Sequence, residues 1–191
     1  MFKIKELLHN INKEIFLDLK SILSAQEIDI TIRRLAHQIV ENHMDGKEWV
    51  IIGLQPRGVF LSDRIVAVIN QELQKNIDYG KLDITFYRDD VRDKLHIANE
   101  TVIPFSIEDK NVLLIDDVLY TGRTIRAALD ALLDFGRPSR VELCVLIDRR
   151  FSRDVPIQAD YVGKAIDSFE TQKVMVRWKE NNDEDIVWMS E

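Results

Sequence analysis

Two adjacent acids, Asp116 and Asp117, stand directly after the apolar run Val112–Ile115 and directly before Val118, Leu119, Tyr120, Thr121, Gly122, Arg123 and Thr124. Two carboxylates at the end of a buried strand are costly to desolvate unless hydroxyls or cations meet them, and a vicinal diol meets both. Thr121 to Thr124 supply two hydroxyls, a glycine that accepts a positive φ, and successive backbone N–H groups at the start of a helix. That arrangement suits a phosphate monoester. Taken singly, a Thr-Gly turn before a helix is ordinary, and so is Asp-Asp after a strand. In register, they describe a seat for a sugar diol and its phosphate.

Two further groups of residues carry chemistry. In Leu54-Gln55-Pro56-Arg57-Gly58, the glycine lets backbone amides approach an anion and Arg57 offers it a guanidinium. The Gln55-Pro56 bond is a candidate for the cis form. Arg88, Asp89 and Asp90 open a polar segment that could close over a ligand and exclude water; as a charge run alone it would be a solvated face. His9, His37, His43 and His96 show no metal-binding spacing, and no protein metal site is expected. Cys144, alone inside VELCVLI, reads as a small buried hydrophobe.

Such residues need elements to hold them. In open parallel sheets, ligands lie beyond the C-terminal ends of the strands. Ser24 followed by Glu27 is a capping box, and Ile28, Ile32, Leu35, Ala36, Ile39 and Val40 recur at helical spacing, predicting a helix over 25–42. WVIIGL is a short apolar run of the buried parallel kind, followed by a helical pattern over 59–73. KLDITFY alternates as a strand, and 88–110, interrupted by Pro104, reads as a long connection. NVLLIDDV is a buried strand, LYTGR a turn, and TIRAALDALLDF a helix stopped by Gly136 with Pro138 beyond. RVELCVLI is a third buried strand; DYVGKAI and KVMVRW are shorter ones, with DIVWM a partner for the latter. The alternation predicts an α/β fold with a mostly parallel sheet and right-handed crossovers. The first residues are amphipathic and helix-compatible, and we divide the chain into an N-terminal extension, 1–24, and one domain, 25–191.

Composition bounds the rest. A chain of 191 residues that is 46% hydrophobic can bury a substantial core. No stretch reaches the ~20 apolar residues of a membrane span, and MFKIKELLHNINKEIF lacks the apolar centre of a secretory signal, so a cytoplasmic protein without membrane partners is expected. The net charge of −7 argues against indiscriminate adhesion to nucleic acid. Arginines nonetheless gather at Arg33 and Arg34, at Arg137 and Arg140, and at Arg149, Arg150 and Arg153; most such clusters are solvated faces.

The segment VLLIDDVLYTGRTIRAALDALLDFGRP resembles the phosphoribosyl pyrophosphate (PRPP) signature of the type I phosphoribosyltransferases. RRLAHQIVE, DITFYRDD, VLIDR and PIQADYVGKAI further resemble the bifunctional family of pyrimidine operon attenuators that also act as uracil phosphoribosyltransferases. The resemblance implies a parallel sheet flanked by helices with a small hood. It places Asp116 and Asp117 on the ribose hydroxyls, and Thr121, Gly122, Arg123 and Thr124 on the 5′-phosphate. Gln55, Arg57 and Gly58 would hold the pyrophosphate, with Pro56 where that family commonly has Thr. Arg88, Asp89 and Asp90 would begin a closing loop, here shorter than usual. Tyr161 and Val162, followed by Gly163 and Lys164, resemble the segment that receives the base. Tyr120 stands where hypoxanthine-type relatives usually carry an acid for purine N7, which favours a pyrimidine.

The reaction implied converts uracil and PRPP to UMP and pyrophosphate, with Mg²⁺ held mostly by the substrate. Asp116, Asp117, Arg57 and Arg88 would act by orientation and electrostatics. A homo-oligomer, a dimer or more, is expected. A second reading is an RNA-binding transcription attenuator that senses pyrimidine nucleotides in the same pocket. Arg34 is retained, but the family's Gly-His-Arg-Glu becomes RFSRD and the Arg before Ala-Asp-Tyr becomes Gln158. RNA regulation therefore ranks below catalysis. A third reading, a PRPP sensor without turnover, follows from Pro56 and the shortened loop.

Overall fold

The structure, a computed structural model, describes residues 20–44, 46–88 and 98–190. The expected N-terminal amphipathic stretch up to residue 19, together with Asp89, Asp90, His9 and His96, lies outside the described residues. The elements are β1 (Lys20–Leu23), α1 (Ala25–Asn42), β2 (Trp49–Leu54), α2 (Gly58–Leu73), β3 (Tyr79–Leu82), β4 (Asn111–Leu119), α3 (Arg123–Leu132), β5 (Arg140–Arg150), β6 (Tyr161–Asp167), β7 (Lys173–Arg177), α4 (Lys179–Asn182) and β8 (Ile186–Ser190).

A five-stranded sheet runs β3-β2-β4-β5-β6 with every neighbouring pair parallel. All six positions of β2 are buried, because helices cover both faces of such a sheet and leave no polar side to alternate with. Val50, Ile52 and Leu54 of β2, Val112 and Leu114 of β4 and Leu143 and Val145 of β5 form one core with Ile125, Ala128, Ala131 and Leu132 of α3. The intervening residues Ile51, Leu113, Cys144 and Leu146 are equally buried and by the strand's period of two belong to the opposite face. Cys144 is a core residue, its thiol pushed up by burial.

Helix α1 begins where the capping box predicts. The Ser24 amide and hydroxyl donate to Glu27 Oε2 at 2.8 and 2.7 Å, and the Glu27 amide donates back to Ser24 Oγ at 3.4 Å. Helix α3 stops at Leu132, earlier than Phe135, because Leu133, Asp134 and Phe135 donate to carbonyls three residues back and tighten the last turn before Gly136 at φ +142°. The strand expected over KLDITFY is shifted: β3 starts at Tyr79 and ends at Leu82. Asp83 is the reason. Its carboxylate accepts the Thr85 amide at 2.8 Å and the Asn99 amide at 3.0 Å, and the chain turns into a 3₁₀ turn over Thr85–Tyr87.

A separate three-stranded antiparallel sheet has the order β1-β8-β7. The pairing of KVMVRW with DIVWM is present as expected, with Val176 opposite Val187. Strand β1, inside the stretch assigned to an extension, pairs Lys20 with Met189 and Leu23 with Val187. Two compact units result, Asp29–Ser168 and a smaller one joining the described parts of Met1–Ile28 and Phe169–Glu191. Among the described residues, no helix is long and apolar enough to cross a membrane.

Candidate active site

Strand β4 delivers the two acids at the carboxyl end of the sheet, as its register beside β5 requires: Ile115 lies beside Cys144, and Asp116 beside Val145. Both are buried. The Asp117 amide donates to Asp116 Oδ1 at 2.9 Å, and Arg57 Nε lies 3.2 Å from Asp117 Oδ2. The latter contact is an ion pair without an aligned hydrogen bond, so the buried Oδ2 atom has its hydrogen-bonding capacity in hand. Burial, and behind it the Asp117 charge, push the Asp116 carboxyl well above the ordinary carboxylate range. Burial also raises Asp117, against the pull of the Arg57 guanidinium.

Beyond the acids, Gly122 takes φ +86° and is followed at once by α3. The Arg123 amide donates to Thr121 Oγ1 at 3.4 Å, and the Arg126 amide to the Gly122 carbonyl at 2.9 Å, the first turn of the helix. Arg123 also pairs with Asp154 at 2.8 Å. A Cβ on Gly122 would lie 2.7 Å from Val155 Cγ2, so glycine is required for space as well as for φ.

Opposite, the loop after β2 contains the cis Gln55-Pro56 bond. A Cβ on Gly58 would lie 2.6 Å from the Ile115 carbonyl and 2.9 Å from Asp116 Cα. Gly58 therefore serves to bring the start of α2 against the end of β4, which sets Arg57 beside Asp117. These parts enclose a cavity of about 430 Å³ that collects Gln55, Arg57, Arg88, Asp116, Asp117 and Thr124. Pro56, Ile84, Thr85 and Val118 complete its lining. Arg88 Nη1 donates to Thr124 Oγ1 at 3.4 Å, so the residue that opens the long connection reaches the first turn of α3. Thr85 has no signal in the sequence, because KLDITFY there has a strand pattern.

Tyr161 does not line this cavity. Its ring is buried, its hydroxyl donates to Glu142 Oε2 at 3.1 Å, and it accepts from Asn42 Nδ2 at 3.4 Å. Glu142 Oε2 in turn lies 3.0 Å from His43 Nε2. None of these residues lines the cavity with the acids. A segment's resemblance fixes the strand, and register then decides which face each side chain takes. The carbonyls of Val162 and Gly163 accept from Arg34 Nη2 at 3.1 and 2.7 Å.

The third arginine cluster also disperses. Arg149 is buried with its guanidinium 3.8 Å from the centre of the Tyr120 ring and its Nε on Ser168 Oγ at 2.8 Å. Arg150 pairs with Asp167 at 2.8 Å. Arg153 turns inward to main-chain carbonyls. In the other two clusters, Arg33 pairs with Asp29 and Arg140 with Glu142.

The chain matches the phosphoribosyl transferase domain family over residues 18–181. It is 44% identical over 170 residues to the bifunctional protein PyrR of Elusimicrobium minutum, a match that covers 88% of this chain and 94% of that one. With the bifunctional protein PyrR of Chloroflexus aurantiacus the identity is 46% over 170 residues, covering 88% and 93%. A crystal structure of a hypoxanthine phosphoribosyltransferase from Staphylococcus aureus superposes with a TM-score of 0.67 over 91% of this chain and 94% of that one, at 23% identity, a likeness of fold.

Proposed function

This chain belongs to the phosphoribosyl transferase family, and on that footing we propose that it is a uracil phosphoribosyltransferase, making UMP and pyrophosphate from uracil and PRPP. One observation carries the reading: two buried, adjacent carboxylates open onto the same cavity as Thr124 at the start of α3, and one carboxylate oxygen lacks an aligned donor. A ribose diol supplies such donors. The Thr121–Thr124 turn takes the 5′-phosphate on backbone amides and hydroxyls, and Arg57 with Arg88 offers positive charge to the pyrophosphate.

In the transfer, the bond from the ribosyl carbon to pyrophosphate breaks, the bond from that carbon to uracil N1 forms, and the N1 proton is lost. The ribosyl centre gains positive character, which the Asp116 and Asp117 carboxylates favour, while the departing charge is met by Arg57 and Arg88. Among the described residues no group of three or more His, Cys, Asp or Glu side chains is placed to hold a metal ion. Mg²⁺ brought with PRPP would be held near the Asp116 and Asp117 carboxylates and would supply positive charge to the leaving group. Uracil is favoured over a purine by Tyr120 at the position before Thr121-Gly122, where an acid would be needed for purine N7. The enzyme so read acts in the cytoplasm in pyrimidine salvage, as a homo-oligomer of two or more copies.

The test is a base panel with PRPP and Mg²⁺: uracil, orotate, hypoxanthine, guanine and adenine. UMP formation from uracil above the other four is expected. Preferential turnover of a purine, or of none, would overturn the assignment.

A second reading draws on the relatives' description as bifunctional: an attenuator that binds RNA and senses UMP or UTP. The engagement of Arg149, Arg150 and Arg153 with their own fold weighs against a basic RNA face built from that cluster. A gel-shift titration against pyrimidine-leader RNA separates the two, since salt-sensitive, UMP-promoted binding belongs only to the attenuator.

A further inference from the structure

Arg153 is densely bonded beside the site, yet none of its bonded partners lines the cavity that holds the acids. Nε donates to the Ile157 carbonyl at 3.0 Å. Nη1 is shared among the carbonyls of Leu119 at 3.4 Å, Arg149 at 2.9 Å and, closer still, Tyr120. Nη2 donates to the Asp148 carboxylate. Asp148 is the last β5 residue in register with β4, paired with Leu119, so this ion pair stands at the foot of the turn. One residue further on, the Thr121 carbonyl accepts the amides of Asp154 and Val155 at 3.0 and 3.2 Å.

Three consecutive carbonyls, of Leu119, Tyr120 and Thr121, are thus gripped by the segment 153–155. In a planar trans peptide the N–H of the next residue points opposite to the carbonyl. Holding these three carbonyls on one side directs the amides of Tyr120, Thr121 and Gly122 to the other, where an anion at the start of α3 would sit. The guanidinium suits the task because it presents five donors in a rigid plane and stays charged; a lysine offers one compact centre.

Resting on the reading of this turn as the 5′-phosphate seat, we propose that Arg153 is a positioning residue that orients the Tyr120–Gly122 amides for the phosphate. It does so without touching substrate. Its energetic effect falls on ligands that carry the 5′-phosphate and spares those that occupy the pyrophosphate loop alone.

The experiment compares wild type, Arg153→Ala and Arg153→Lys by calorimetry with PRPP and with inorganic pyrophosphate, each with Mg²⁺, alongside melting temperatures and the KM values for PRPP and uracil. Misplaced amides should weaken PRPP binding about ten-fold or more in both variants and raise the PRPP KM to match, while pyrophosphate binding and the uracil KM stay put. Unchanged PRPP affinity, or an equal loss for both ligands, overturns the proposal. Should the alanine variant fail to fold, the lysine variant, which keeps the charge and loses the fork, gives the same comparison. A wild-type protein that binds PRPP yet converts no base overturns the enzymatic reading above and leaves the calorimetric comparison to decide on Arg153. A wild-type protein that does not bind PRPP overturns both.

Discussion

The Asp117 amide donates to the Asp116 carboxylate at 2.9 Å, so the acids that end β4 are joined through their own backbone while both remain buried. The fold meets the two charges unequally. Arg57 stands 3.2 Å from Asp117, half exposed, and Asp116 has the Asp117 charge against it.

Replacing both acids by asparagine should lower turnover by at least about 10²-fold, the usual scale for removing preorganised charge from a transition state. The fold should persist. In the ligand-free protein Asp116→Asn should raise stability, by something on the order of 1 kcal/mol, because a carboxyl whose ionisation burial opposes is removed. Steady-state kinetics and thermal melts on the same preparations check both halves; undiminished turnover would remove the acids from the mechanism.

The same burial makes a prediction about pH. Both folded carboxyls lie above their ordinary value of 3.8. Below that value the folded and unfolded chains are both protonated and there is no penalty. As pH rises, the unfolded chain ionises first, so stability falls until the folded carboxyls ionise too, after which the loss is complete. The melting temperature of the double asparagine variant, minus that of wild type, should therefore grow as pH rises from about 3.8 through the raised folded values and then level off. A difference constant with pH would contradict it.

Gly58→Ala should cost about 1–3 kcal/mol, the scale of overpacking against fixed backbone, since its Cβ meets the Ile115 carbonyl at 2.6 Å. Because the displaced neighbour carries Asp116, the PRPP KM should rise with it. Gly122→Ala combines a left-handed φ with a contact to Val155 at 2.7 Å and should behave alike. Wild-type melting and kinetics in either variant would show that the helix starts are not fixed in this way.

Tyr161→Phe should reduce stability by about 1 kcal/mol, the net worth of a hydrogen bond, because Glu142 and Asn42 lose a buried partner. The uracil KM should not move. A raised uracil KM with unchanged melting would instead place Tyr161 at the base.

What the sequence makes legible divides along physical lines. The β4–turn–α3 unit is readable because its signals are local: an apolar run, two acids, a glycine with positive φ and an amphipathic helix occupy consecutive positions. The capping box of Ser24 and Glu27 is local in the same sense. Strand β1 is not legible, since KSIL is four residues long and acquires its conformation from β8, about 165 positions away. The surroundings of Tyr161 are not legible in the sequence, because its face follows from the β5–β6 register. Arg153 lies in an arginine-rich stretch that reads as surface, and only the fold shows its guanidinium turned onto the carbonyls of a turn more than thirty positions earlier.

Arg34 and Val102 have an effect on how copies of this protein behave in a crowded solution. The outer strands of the main sheet, β3 and β6, are where a foreign extended chain would add itself. On β6, the Arg34 guanidinium already takes up two main-chain acceptors; on β3, Val102 exchanges both its hydrogen bonds with Lys81 at 2.8 Å. An incoming strand would have to evict these groups, and sheet-to-sheet polymerisation is discouraged at both flanks.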